Sequence, residues 1–290
     1  MPELAISQFT TLPQSFDADI DLFTKLRVGG IEVCERKLSD DAKERHDQFD
    51  RLLGSGLRVT SVQPAVHALF PERMAPQPES PADRLARYRE SIDRFSIRFP
   101  DANFPLVTIT GRAPQNNYRE AYRHAVAAYR DLADYAASRH VRIAFEMLHP
   151  VLMNIDTFIC TLREAAQLVD DVNRGNFGLV ADVWHLWHEV DIAARLEHLG
   201  ERIFLAQLSD WPHGGPRTTD DRVIPGEGKL DLPGLVAAIR RAGYTGPWEL
   251  EILSDKELPD SLWRAGFAET IQRSQSAFAR LWQSSESRAP

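Results

Sequence analysis

Four residues carrying oxygen donors stand in otherwise apolar segments: Glu146 in FEMLHP, Asp182 in ADVWH, Gln207 in QLSD and Glu251 in WELEI. At the ends of neighbouring strands they would bring three carboxylates and one amide to a single mouth. A carboxylate buried there without a cation or partner costs several kcal/mol in desolvation or is forced to keep its proton. Three together therefore require a compensating positive charge. The set Glu146, Asp182, Gln207 and Glu251 is one of hard oxygen donors and suits one divalent ion, Mn2+ or Mg2+ first, with Co2+ or Zn2+ as alternatives. Taken singly, each carboxylate reads as well as a strand-end acid paired with a nearby Lys or Arg.

The elements that must position these residues alternate along the chain. Short apolar or β-branched runs at Leu4–Thr10, Gly30–Glu35, Arg58–Val66, Phe104–Gly111, Arg142–Leu148, Phe177–His185, Ile203–Asp210 and Trp248–Leu253 read as strands. Most are near-continuously apolar, as in strands covered on both faces. Between them lie segments of helical period, clearest at Tyr118–His140, where Ala121, Tyr122, Ala125, Tyr129, Leu132, Ala133 and Ala136 share one face. Helix starts are expected at Ser80-Pro81, Asp156-Thr157 and Asp231, and a final helix from about Leu262 to Trp282. Eight such pairs predict an α/β fold, a (β/α)8 TIM barrel in which residues 1–290 form a single domain with a C-terminal helix. A doubly wound sheet is the alternative, but no GxGxxG or Walker motif follows the first strand.

Composition narrows the function class. With 34 Lys and Arg against 42 Asp and Glu, interspersed, the formal charge is −8 and no basic stripe exists for a phosphate backbone. Nucleic acid is not an expected partner, which also argues against an abasic-site endonuclease of the same fold. Cys34 and Cys160 form no CxxC pair, and no run approaches the roughly 20 apolar residues of a membrane span. The expected location is the cytoplasm, away from membranes. Oligomeric state is not readable.

The segments GIEV at 30–33, FEMLHP at 145–150, ADVWH at 181–185, QLSD at 207–210, RVIPGEG at 222–228 and AGYTGPWELEI at 242–252 together resemble the sugar phosphate isomerase/epimerase family of xylose-isomerase-like TIM barrels. The resemblance spans nearly the whole chain, its second half most specifically. It implies a metal held from strands five to eight by Glu146, Asp182, position 207 and Glu251. The chain departs from the family at Gln207, where epimerases usually carry His; a Gln ligand is familiar from related 3-dehydroshikimate dehydratases. It further implies that His185 reaches substrate and that Arg222, in R-x-x-P-G, lies over substrate oxygens, where its fork can hold two at once. The plainer alternatives are a core His bonded to a backbone carbonyl and a loop salt bridge from Arg222 to Asp220, Asp221 or Glu227. His149, Glu35 and Lys37 are further candidates for substrate contact near the rim. Trp184 offers a platform for a sugar or cyclitol ring, or else packs the core. Asp210 reads as an anchor behind the site.

These parts imply enolisation of a small carbohydrate or cyclic polyol ketone. If Glu146 and Glu251 exchange protons from either side, the outcome is epimerisation or aldose–ketose isomerisation. If His185 is the base and a β-hydroxyl departs, the outcome is dehydration of the 3-dehydroshikimate or inosose type. A non-catalytic sugar-binding barrel is the alternative outside enzymology.

Overall fold

Short β-branched runs whose residues point alternately to two buried faces cannot lie at an open sheet edge, and this chain solves the problem by closure. A computed structural model describes residues 2–100 and 103–286. The strands β1 (Leu4–Ser7), β2 (Ile31–Cys34), β3 (Val59–Gln63), β4 (Pro105–Thr108), β5 (Arg142–Phe145), β6 (Phe177–Asp182), β7 (Ile203–Leu208) and β8 (Trp248–Leu250) are parallel and pair in chain order. β8 closes on β1, with Leu4, Ala5 and Ile6 opposite Trp248, Glu249 and Leu250. The expected (β/α)8 TIM barrel is the fold.

Helices α1 (Phe16–Leu26), α2 (Ala42–Ser55), α3 (Pro81–Arg98), α4 (Tyr118–Ala137), α5 (Leu162–Val172), α6 (Val183–Leu186), α7 (Ile192–Leu199), α8 (Leu232–Arg241) and α9 (Phe267–Glu286) follow the strands. Ser80 and Asp231 cap α3 and α8 as expected. α5 instead starts beyond Asp156-Thr157, because a capping box between Thr161 and Glu164 satisfies its first amides. The sixth strand also ends earlier than expected. At Asp182 the side chain accepts from the N–H of Trp184 at 2.9 Å and caps the single turn α6, so His185 rides on a helix rather than a strand.

Outward-facing residues such as Ile6, Ile31, Leu106, Ile143, Leu179 and Leu250 join the main core beneath the helices. Inside the barrel, Val107, Ala144, Val180 and Leu205 form an apolar layer. Above it the period-two pattern brings a polar layer inward: Glu32, Ser61, Gln207 and Glu249 are all buried. Among the described residues no helix is long and apolar enough to cross a membrane, and Cys34 and Cys160 are free and buried.

Candidate active site

At the C-terminal mouth, Glu146 follows β5, Asp182 ends β6 and Glu251 follows β8. Both glutamates line one cavity of about 60 Å³ together with His185 and Arg222. Arg222 is brought there by a strap in which Asp210 and Val223 pair antiparallel and the Arg222 N–H donates to Leu253 O at 3.1 Å. Its Nη1 donates to Asp182 Oδ2 and Glu251 Oε2, both at 2.8 Å, and its Nη2 faces His185 Nε2 at 3.1 Å. The alternative loop partners are all engaged elsewhere: Asp220 by Arg73, Asp221 by Arg217 and Glu227 by Arg273.

The Arg222 loop is itself tethered. Asp210 Oδ2 accepts from the N–H groups of Gly226 and Gly228 at 2.9 and 3.1 Å, and its Oδ1 accepts from Trp211 and Leu230. Gly226 sits at φ +86°, and a Cβ on Gly228 would come within 2.4 Å of the Asp210 carboxylate. Any larger residue there would break the anchor.

His185 is buried, with Nε2 3.5 Å from both Glu146 Oε1 and Asp182 Oδ2. Its Nδ1 accepts from the main-chain N–H of His149 at 2.9 Å. Burial, with the Arg222 charge adding, holds its pKa well below the ordinary histidine range. The atoms of Glu146, Asp182 and His185 lie close enough together to hold a metal ion. Glu146 Oε1 and Gln207 Oε1 are buried without a hydrogen-bond partner, and such orphaned hard oxygens are the donors a divalent ion would satisfy.

Gln207 lies opposite Asp182 on one side and Glu249 on the other. Its Nε2 points to Glu249 Oε2 at 3.3 Å and Glu32 Oε2 at 3.5 Å, while Ser61 Oγ donates to Glu249 Oε1 at 2.8 Å. Glu32 and Glu249 were not foreseen as part of the site. The available signal was parity, since Glu249 and Glu251 share a strand face.

Three expected contacts fall elsewhere. Glu35 turns to the helical layer, accepting from Ala65 N–H and Ser91 Oγ and pairing with Arg94. The ammonium of Lys37 pairs with Asp19 and donates to Thr11 O, because an unpaired charge at that half-buried position would be costly. Trp184 is fully buried, with the Arg222 guanidinium 4.8 Å above its ring, so that face is taken. The His149 ring packs 4.6 Å from both Trp211 and His188, and only its main chain touches the site.

Across the mouth runs a tie that no local motif announced. Arg73 donates through its N–H and Nε to Asp156 and through both Nη atoms to Asp220, joining the loops after β3, β5 and β7.

Among the described residues, Glu32, Glu146, Asp182, Glu249 and Glu251 are buried in the barrel, and the buried guanidinium of Arg222 bonds two of them, Asp182 and Glu251. Burial pushes Glu251 up to about 7 against the pull of Arg222, with Asp182 and Glu249 adding to the push; burial likewise raises Glu249 to about 7. A carboxyl raised on folding binds its proton more tightly in the native state than in the unfolded one. Each of these two carboxyls therefore contributes stability that is fully present below about pH 4.5 and is lost as pH rises to about 7, whereas His149 and His185, held neutral by burial, contribute in the opposite sense. In chelator, the unmodified protein should lose more Tm, or gain less, between pH 5 and 7 than Glu251→Gln does; identical pH profiles for the two would contradict this electrostatic picture.

The sequence profile of the xylose isomerase-like TIM barrel family matches residues 23–275. The chain is 30% identical over 138 residues to an inosose isomerase of Bacillus subtilis, covering 46% of this chain and 48% of that protein. It is 33% identical over 131 residues to a 3-dehydroshikimate dehydratase of Pseudomonas aeruginosa, covering 43% of this chain and 20% of that protein. The matched regions thus span about half or less of these relatives. A solved structure of the IOLI protein with a bound zinc atom superposes with a TM-score of 0.76 at 21% identity, covering 96% of this chain and 97% of that one.

Proposed function

The chain belongs to the xylose isomerase-like TIM barrel family, and on that premise we propose that it is a divalent-metal-dependent isomerase or epimerase of a small polyhydroxy ketone or aldose. One observation carries the reading: Glu146 and Glu251, three strands apart in the ring, line the same cavity from different sides. Two carboxylates so placed can take a proton from one face of a carbon and return it at the other. Glu146, Asp182, Gln207 and Glu251 would hold the ion, and the orphaned buried oxygens of Glu146 and Gln207 support that assignment. When bound, a divalent ion supplies Lewis-acid stabilisation of the charge that develops as the hydrogen α to a carbonyl is removed. Arg222, which lines the cavity, would hold a substrate hydroxyl or phosphate oxygen.

Elimination is the second reading, favoured by Gln207 in place of the usual imidazole and by the similarity to a dehydratase. Incubating the Mn2+-loaded protein with pentuloses, hexuloses and inososes in D2O distinguishes the two. Isomerisation is expected to return substrate and isomer carrying deuterium at the carbon next to the carbonyl. A conjugated enone instead would select elimination, and saturable binding with no exchange would reduce the protein to a sugar-binding barrel.

A further inference from the structure

His185 stands between two nitrogen donors. On one side the main-chain N–H of His149 points at Nδ1 from 2.9 Å; on the other Arg222 Nη2 lies 3.1 Å from Nε2. An arginine has no acceptor and a peptide nitrogen donates only, so a ring accepting from both would need two bare nitrogens. A neutral imidazole has one. One of the two contacts must therefore be a meeting of donors, and the two sides differ in freedom.

The His149 N–H belongs to backbone that is fixed on both flanks. Leu148 donates to Ile159 O, and His149 opens the 3₁₀ turn Pro150–Leu152, its own Nδ1 accepting from Val151 N–H at 3.1 Å. Arg222 Nη2 is the end of a long side chain held by its other nitrogen to Asp182 and Glu251. The side chain yields and the backbone does not. On the Nε2 side, moreover, two carboxylate oxygens, Glu146 Oε1 and Asp182 Oδ2, each lie 3.5 Å away, so an Nε2–H faces acceptors. A proton on Nδ1 would instead collide with the His149 amide.

We propose that the main-chain N–H of His149 fixes neutral His185 as its Nε2–H tautomer, so that this ring meets substrate as a hydrogen-bond donor and neither ligates an ion nor accepts a proton. Position 149 is thus a positioning residue through its backbone. The role against substrate rests on the isomerase reading above; the tautomer does not. With Nε2 carrying hydrogen, proton removal falls to the carboxylates, and the imidazole partner of the close donor cluster drops out of the metal set.

The test is the nitrogen NMR spectrum of histidine-labelled protein without substrate, metal-free and with Mg2+, the His185 signals being assigned by their loss in His185→Gln. A proton-bearing Nε2 and a bare, hydrogen-bonded Nδ1 are expected in both forms. The reverse pattern, or loss of the Nε2 proton when Mg2+ binds, overturns the proposal. A second arm uses the backbone of residue 149, whose φ of −55° a proline can adopt. His149→Ala keeps the N–H, whereas His149→Pro deletes it. Only the proline variant should gain Nδ1–H population and lose a further factor of about 10–100 in kcat, the range found when a group orienting a site imidazole is removed. Identical ring spectra for the two variants would refute the backbone's role, and if His149→Pro fails to fold, the spectrum of the unmodified protein decides. Because no substrate is present, a protein without isomerase activity would still answer the question.

Discussion

Glu251→Gln is expected to lower kcat by about 10²–10⁴-fold, the usual worth of a positioned acid or base. The substitution preserves volume, and Arg222 keeps Asp182 as partner at 2.8 Å, so the loop carrying the guanidinium stays in place. It also removes one of five buried acids, so Tm in chelator should not fall. Activity and stability then move independently, which separates lost chemistry from lost fold. Glu146→Gln should match it if both carboxylates exchange protons. Deuterium exchange measured beside turnover shows which half of the reaction each serves. A loss below tenfold in either variant would exclude that residue from proton transfer.

Chelation has the larger effect. Activity should fall to background and return on adding Mn2+ or Mg2+, with about one ion bound per chain, because a single guanidinium cannot neutralise Glu32, Glu146, Asp182, Glu249 and Glu251 together. An ion that binds only the native state also stabilises it, by about 2.7 kcal/mol at a hundred times its Kd, so Tm should rise with metal concentration. The same ion should offset the stability that the raised carboxyls lose toward pH 7, since it competes with protons for the same oxygens. Full activity in a sample shown by elemental analysis to be metal-free would end the metal-dependent reading.

What the sequence made legible follows from which interactions are local. Strands could be found because each is a short apolar run, and their count and order dictated the barrel. Glu146, Asp182 and Glu251 could be found because a carboxylate in such a run is anomalous. Glu32 is equally anomalous, yet only the ladder shows that it faces inward toward Gln207 and Glu249. Glu35 and Lys37 follow the second strand as rim residues should, but a 3₁₀ turn, Glu35–Lys37, rotates them toward Arg94 and Asp19. Pairing between residues far apart in the chain cannot be read from either partner. Arg73 and Asp220, separated by 147 positions, are the clearest case.

That pairing differs from the inner one in its exposure. Arg73 lines the same cavity as Glu146, His185, Arg222 and Glu251, so its pairs with Asp156 and Asp220 form part of the cavity wall. Its guanidinium is a third exposed, within reach of the bathing electrolyte, so this tie weakens as salt screens it, whereas Arg222 is sealed from it. One barrel thus holds two arginines with different masters: the outer answers to ionic strength, the inner to the acids around it.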